Sequence, residues 1–519
     1  MATGKRFGFA RALWPSDSVS TSELRLGLRM LLFDGICTQV MLVLTGGAFL
    51  VAFALLLGAS GKTIGIIAAM APLAQVLQLP SVFLVRRLGL RKALVTTTAG
   101  VSRLFLLVMA AVPWLLPAHL RLPVFTLALF LFFAVGAVGG SAFGPWMRDL
   151  VPSRVLGRYF GRRLAYAVAV GAVAAILAGL GVDHYLAHFT PATGAYSIIY
   201  VVGASAGFLG VFFLSRIPEP RMSTPPSRGV IAAVREPFGD ANFRRLLSFM
   251  ASWSFAANLA APFYAVYMLD RLGMRMTAVM ALFLLSQAAY VSFLGIWGRL
   301  ADRLTHKAVL SVSGPLFMVS IGLWIFTTMP GKYFLTLPLL AAIHVLAGIS
   351  TAGVMLSAWN ITLKLAPKES STTYLAANAL VCGISATVAP ILAGFALDLL
   401  SQRGLAITLG TRSAEGAAVF PALQLRGLDL VFAAAVVVGF YALRRLALVQ
   451  ERGSLKEKLP LSELAAEVRT TVRSISNVAG LRPLSSFPYG ILRRQRPPEA
   501  DAERPPAETA PGEDVSPLE

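Results

Sequence analysis

Residues 152–183, PSRVLGRYFGRRLAYAVAVGAVAAILAGLGVD, laid over residues 367–398, PKESSTTYLAANALVCGISATVAPILAGFALD, decide the fold. At a constant offset of 215 the two stretches share nine identities in 32 ungapped positions. Pro152, Tyr159, Val173, Ala174, Ile176, Leu177, Ala178, Gly179 and Asp183 fall on Pro367, Tyr374, Val388, Ala389, Ile391, Leu392, Ala393, Gly394 and Asp398. A shared bias toward Ala and Leu raises chance matches, but it does not place Pro, Tyr, Gly and Asp at fixed distances. The same shift sets Gly58 on Gly273 and Lys92-Ala93 on Lys307-Ala308. One plan has been used twice.

The composition says what the plan is made of. The 519 residues are 56% hydrophobic and only 14% charged, with a mean hydropathy of +0.71. Too few charges remain to cover soluble domains, and too much apolar surface would stay wet in a disordered chain. A bilayer core of about 30 Å takes roughly 20 apolar residues of helix. Runs of that length recur near 31–57, 64–84, 93–116, 123–146, 164–183 and 196–215, then near 246–268, 277–297, 308–328, 335–358, 374–400 and 427–448. Twelve membrane helices follow, six per repeat. An even count makes the two repeats parallel, related by a pseudo-twofold along the membrane normal. The expected class is an all-α polytopic protein of two six-helix bundles, spanning 28–215 and 246–448. A segment 1–27, a linker 216–245 with Pro218, Pro220, Pro225 and Pro226, and a tail 449–519 complete the chain.

The net charge of +21 is first a topology signal. With the N-terminal segment in the cytoplasm, the inner loops carry twenty Lys and Arg residues against eight in the outer loops. That asymmetry agrees with the positive-inside rule, places both termini in the cytoplasm, and favours contact with anionic lipids. Nucleic acid is not an expected partner. Cys37 and Cys382 both lie in apolar runs, so neither a disulfide framework nor a metal cluster is expected. The sequence contains no G-x-x-x-x-G-K-[ST] loop and no H-E-x-x-H helix, and no cofactor or catalytic residue is assigned.

The loop after the eighth span, Gly298-Arg-Leu-Ala-Asp302-Arg303-Leu-Thr-His-Lys307, resembles the G-x-L-a-D-R-x-G-R-K signature of the major facilitator superfamily. The resemblance covers about residues 25–450. It implies alternating access by rocking of the two bundles, transport of a small organic solute across a bacterial inner membrane, and a monomeric carrier. It also implies a cytoplasmic latch at Gly298, Asp302, Arg303 and Lys307. Gly298 suits a tight helix exit, and Asp302 could cap or pair with a helix end. The first half has only a degenerate copy, Arg86-Arg87-Leu-Gly-Leu-Arg91-Lys92, with arginine where the acid is expected. A latch there must pair differently, for example with Asp149. Setting topology alone is the plainer role for all these charges.

Ionisable groups inside spans are costly and are functional candidates by default. Asp34 lies roughly 7–8 Å into the first span at 1.5 Å per residue, with Thr38 on its face. A carboxylate shielded from water holds a proton readily; Asp34 is either a proton carrier or a structural partner of a basic neighbour. Arg103, about 16 Å deep in the third span, either binds an anionic substrate or pairs internally, with Asp34 one choice. His344 in the tenth span is a proton shuttle or a neutral hydrogen-bonded side chain. Asn258, Tyr264 and Tyr267 in the seventh span, Gln287 in the eighth and Asn378 in the eleventh either line a cavity or join helices. Asp183 and Asp398 end equivalent helices and suit a capping or gate-structural role. The tail positions Leu461, Leu464, Val468, Val472 and Ile475 keep a helical spacing. The alternative to a transporter is a non-transporting membrane sensor or assembly factor that kept the fold.

Overall fold

The structure is a computed structural model that describes residues 19–221, 236–328, 334–367, 370–400, 405–413 and 416–451. The expected tail helix lies outside the described residues. Among the described residues, eleven helical stretches are long and apolar enough to cross a membrane. A further span, second in order, is split into Gly61–Val76 and Gln78–Leu88. The twelve spans therefore stand where the apolar runs place them.

The first span opens at a capping box: Ser20 Oγ accepts from the Glu23 amide while the Glu23 carboxylate accepts from Ser20 N–H at 2.8 Å. It runs Thr21–Thr45, breaks at Gly46, and resumes as Gly47–Leu56. Gly47 has φ +52°, a left-handed conformation that a side chain would strain. The seventh span starts under the Asp240 cap, runs Ala241–Ala260, and breaks before Phe263–Val266. Adding 215 to Gly46 gives Ala261, so both interruptions obey the sequence repeat. Gly58 and Gly273, matched by the same shift, both have positive φ.

Helix packing repeats with the same rule. The first span packs on the fifth and sixth, the third on the fourth and sixth, and the second on the fourth. Six added to each number gives the pairings of the second half: seventh on eleventh and twelfth, ninth on tenth and twelfth, eighth on tenth. Local contacts follow too. Tyr159 donates to Leu28 O at 2.5 Å, and Tyr374 packs edge-on against Phe243 at 4.5 Å; both partners lie 215 apart.

Three features depart from the expectation. The fifth helix is Ser153–His188, 36 residues, so Arg154, Arg158, Arg162 and Arg163 sit on its first turns rather than in a loop. Gly298 lies inside the eighth helix, Met276–Arg303, not at its exit. Helical hydrogen bonding simply continues until Arg303, and no tight turn is needed at the glycine. Between the eleventh and twelfth spans an antiparallel hairpin pairs Leu405–Ser413 with Gly416–Leu425, so the fold is nearly, not wholly, helical. Its bulge falls between Ile407 and Thr408, opposite the stretch with Pro421, where a residue without N–H fits a sheet.

The loops rich in arginine and lysine share one end of the helices, the basic face; the other end is the far face. The two halves touch through the second and eleventh spans, through the fifth and eighth, and through the short upper pieces of the first and seventh. The second–eleventh and fifth–eighth pairings exchange under the same operation, and the first–seventh pairing maps onto itself. At the first of them a Cβ on Gly65 would collide with the Pro390 carbonyl, and one on Gly394 with the Gly61 carbonyl. Small residues let membrane helices approach this closely. Gly65→Ala is expected to cost about 1–3 kcal/mol of packing. A melting temperature equal to that of the parent protein in detergent would show that the contact is soft.

Candidate functional site

Asp34 is 6% exposed and its partner comes from the fifth span. Arg163 Nη2 meets its carboxylate at 3.0 Å, and Arg163 Nε donates to Leu31 O at 2.8 Å. Thr38 Oγ1 donates to the same carboxylate at 3.4 Å. Arg163, one of the loop charges by sequence, belongs to the site because its helix starts ten residues earlier. Arg103, from the third span, faces the same small cavity. Its Nη1 donates to Ala99 O and Ser102 Oγ, both at 3.0 Å.

A second cavity, of 410 Å³, lies between the halves, walled by the first, fifth and eighth spans. The interruption at Gly46-Gly47 opens onto it, with Gln39 and Gln287 among largely apolar neighbours. Gln287 is thus a lining residue. Tyr267 is fully buried, its hydroxyl accepting from Thr327 at 2.7 Å, and serves the core of the second half. Tyr264 stacks on Trp324 at 4.9 Å beside Phe432. His344, 4% exposed, gives Nδ1–H to Leu340 O at 2.8 Å between the rings of Phe283 and Trp324. Asn258 donates to Ser254 O within its own helix. Asn378 Oδ1 lies 3.8 Å from the Cys382 thiol, and Ser254 donates to Cys382 O, joining seventh and eleventh spans. Among the described residues no group of three or more His, Cys, Asp or Glu side chains could hold a metal ion.

The basic face holds a brace in each half. Arg91, wholly buried, reaches Asp149 at 2.5 Å and Glu219 at 3.2 Å. Glu219 also accepts from the amides of Arg91 and Lys92, at 2.9 and 3.1 Å, and so caps the third span. In the second half Glu451 takes the Lys307 amide at 2.8 Å and Lys364 Nζ at 2.8 Å. Lys307 Nζ donates to Ala447 O and Val449 O at the end of the twelfth helix. Asp149 and Lys364 are 215 apart, so the repeat keeps the position and inverts the charge. Glu219 and Glu451 each stand four residues past the last helix of their half. Neither is visible from local pattern, since both act on a helix more than a hundred residues upstream. Thr305 caps the ninth helix through Ala308 N, while Asp302 and Arg303 are exposed at the end of the eighth. The capping role expected of Asp302 falls to Thr305 and Glu451, which lie at the amides themselves. Arg87 is exposed; the Arg86 side chain lies outside the described residues.

The far face is closed by two equivalent carboxylates. Asp183, near the end of the fifth helix, accepts from the amides of Met276 and Thr277 at 2.8 and 2.9 Å. Asp398, near the end of the eleventh, accepts from the Lys62 amide at 3.1 Å. Lys62 and Thr277 are again 215 apart. Each half caps a helix of the other.

The Major Facilitator Superfamily family model matches residues 35–390 and again residues 246–492. No curated protein matches the chain. Among solved structures, the nucleoside transporter NupG superposes with TM-score 0.61 at 12% identity, covering 83% of this chain and 100% of that one. A bacterial homologue of the iron transporter ferroportin in the inward-facing state gives 0.57 at 14%, covering 83% and 99%. The D-xylose-proton symporter gives 0.53 at 14%, covering 84% and 99%. At these identities the likeness is one of fold.

Proposed function

The chain belongs to the major facilitator superfamily, a family of secondary active transporters, and on that premise we propose that it carries a small organic solute by alternating access, coupled to protons. One observation carries the reading. The halves exchange their contacts under a twofold operation and are clasped at the far face by two equivalent caps. Rocking of the halves about an axis in the membrane plane would release the caps and bring the basic rims together. The basic face is then cytoplasmic, with both termini, by its excess of arginine and lysine. The membrane is the bacterial inner membrane. The far face is sealed in the present arrangement, which is the inward-open side of the cycle. In the opposite state Arg86, Arg87, Asp149, Asp302, Arg303 and Lys307 would form the cytoplasmic gate.

Asp34 is the proposed proton carrier, since its ion-pair partner is an arginine that a proton on the carboxylate would release. Proteoliposome uptake, measured with and without a pH gradient, tests the whole reading. A one-unit gradient should support about tenfold accumulation for one proton per solute. The Asp34→Asn variant should equilibrate the solute but not accumulate it; unchanged accumulation would remove Asp34 from the coupling. Ligand binding without any passage across the bilayer would instead identify a sensor that kept the fold.

A further inference from the structure

The cavity beside Asp34 holds more positive charge than negative. It is about 350 Å³ in volume, set within the first half among the first, third, fourth, fifth and sixth spans. Its described lining contains three ionisable side chains that carry charge: Asp34, Arg103 and Arg163. Arg163 is matched by Asp34 at 3.0 Å. Arg103 has no carboxylate within ion-pair distance among the described residues, and its Nε is buried without any acceptor. Its Nη1 is satisfied only by a neutral carbonyl and a hydroxyl on its own helix.

A guanidinium left with an orphan N–H in such a place is costly. A partner that brings negative charge and at least one acceptor oxygen would meet both needs. There is room for it: a Cβ added to Gly136, on the cavity wall, would meet nothing within 4 Å. The planar fork of arginine suits an oxyanion that accepts two parallel hydrogen bonds.

We infer that this cavity binds a small organic oxyanion, a carboxylate or a phosphate ester, with Arg103 holding the anionic group. The inference rests on the transporter reading only for calling that anion cargo; binding itself can be tested without transport. Purified protein in detergent is melted with propionate, with glycerol 3-phosphate, and with the uncharged propionamide and glycerol. A ligand that binds the folded state raises the melting temperature. One of the two anions should do so, and its uncharged counterpart should not; which anion succeeds separates carboxylate from phosphate recognition. Arg103→Lys keeps the charge but loses the fork, and should weaken binding about tenfold or more, while Asp34→Asn, by removing the competing carboxylate, should strengthen it. Calorimetric titration of each folded variant supplies the affinities, so a poorly folding Arg103→Gln is not needed.

Equal shifts from anions and uncharged counterparts, no shift from either anion, or full affinity in Arg103→Lys would overturn the inference. Uptake of an uncharged solute by a protein that ignores both anions would leave the transporter reading standing while this one falls. Anion binding with no passage across the bilayer would do the reverse.

Discussion

Replacing Asp183 and Asp398 together by alanine opens the far face. Three backbone N–H groups at the starts of the second and eighth spans lose their carboxylate acceptors. Removing a helix cap costs about 0.5–2 kcal/mol, and two caps together roughly 2 kcal/mol, which is about 30-fold in a conformational equilibrium. The cost falls only on the arrangement in which the halves meet at this end, so the population moves and the fold does not. Spin labels on Ala187 and Asp270, both exposed, report it after Cys37 and Cys382 are changed to serine. The distance distribution should gain a longer component in the double variant, and a smaller one in either single variant, where about 1 kcal/mol shifts the equilibrium only about fivefold. Asparagine at both positions retains an acceptor oxygen and should restore much of the parent distribution. Distances that stay the same in the double alanine variant would show that the glycine contacts alone hold this end shut.

Glu219→Ala is expected to be the most destabilising single change. The carboxylate is fully buried and accepts from Arg91 N, Arg91 Nε and Lys92 N. Without it, the wholly buried Arg91 keeps only Asp149 and the Pro220 carbonyl. The first turn of the third span loses its cap as well. Breaking a buried ion pair from one side costs about 3–5 kcal/mol. Glu219→Gln retains hydrogen-bonding capacity and should cost about half as much. Glu451→Ala should rank below Glu219→Ala, because Lys364 is 45% exposed and water can replace its partner. Melting temperatures of the three variants in one detergent check the order, and a larger loss at Glu451 than at Glu219 would reject the argument.

What can be read from the chain alone follows from the length scale of each signal. Twenty-residue apolar runs report burial in a bilayer, and they locate all twelve spans. An offset that returns Tyr159 on Tyr374 and Asp183 on Asp398 reports architecture, and it foretells the exchange of packing partners. Contacts between distant segments have no such signature. Glu219 looks like part of a proline-rich linker and Glu451 like the start of a tail, yet each docks on a helix start far upstream. Arg163 groups with the loop charges because hydropathy marks where a helix enters lipid, not where its hydrogen bonding begins. The polar residues of the seventh and eighth spans are legible as polar, but their direction is not: Tyr267 turns into the core while Gln287, one helix on, reaches the central cavity.

The interruptions of the first and seventh spans carry a mechanical consequence. The short upper pieces, Gly47–Leu56 and Phe263–Val266, touch one another across the midline, but only the first meets its long lower rod through non-helical backbone, at Gly46 and Gly47, while Ala261 and Pro262 keep helical angles. The first-span piece thus has a backbone joint about which it can pivot without bending a helix, and the seventh-span piece stands against it as a fixed abutment.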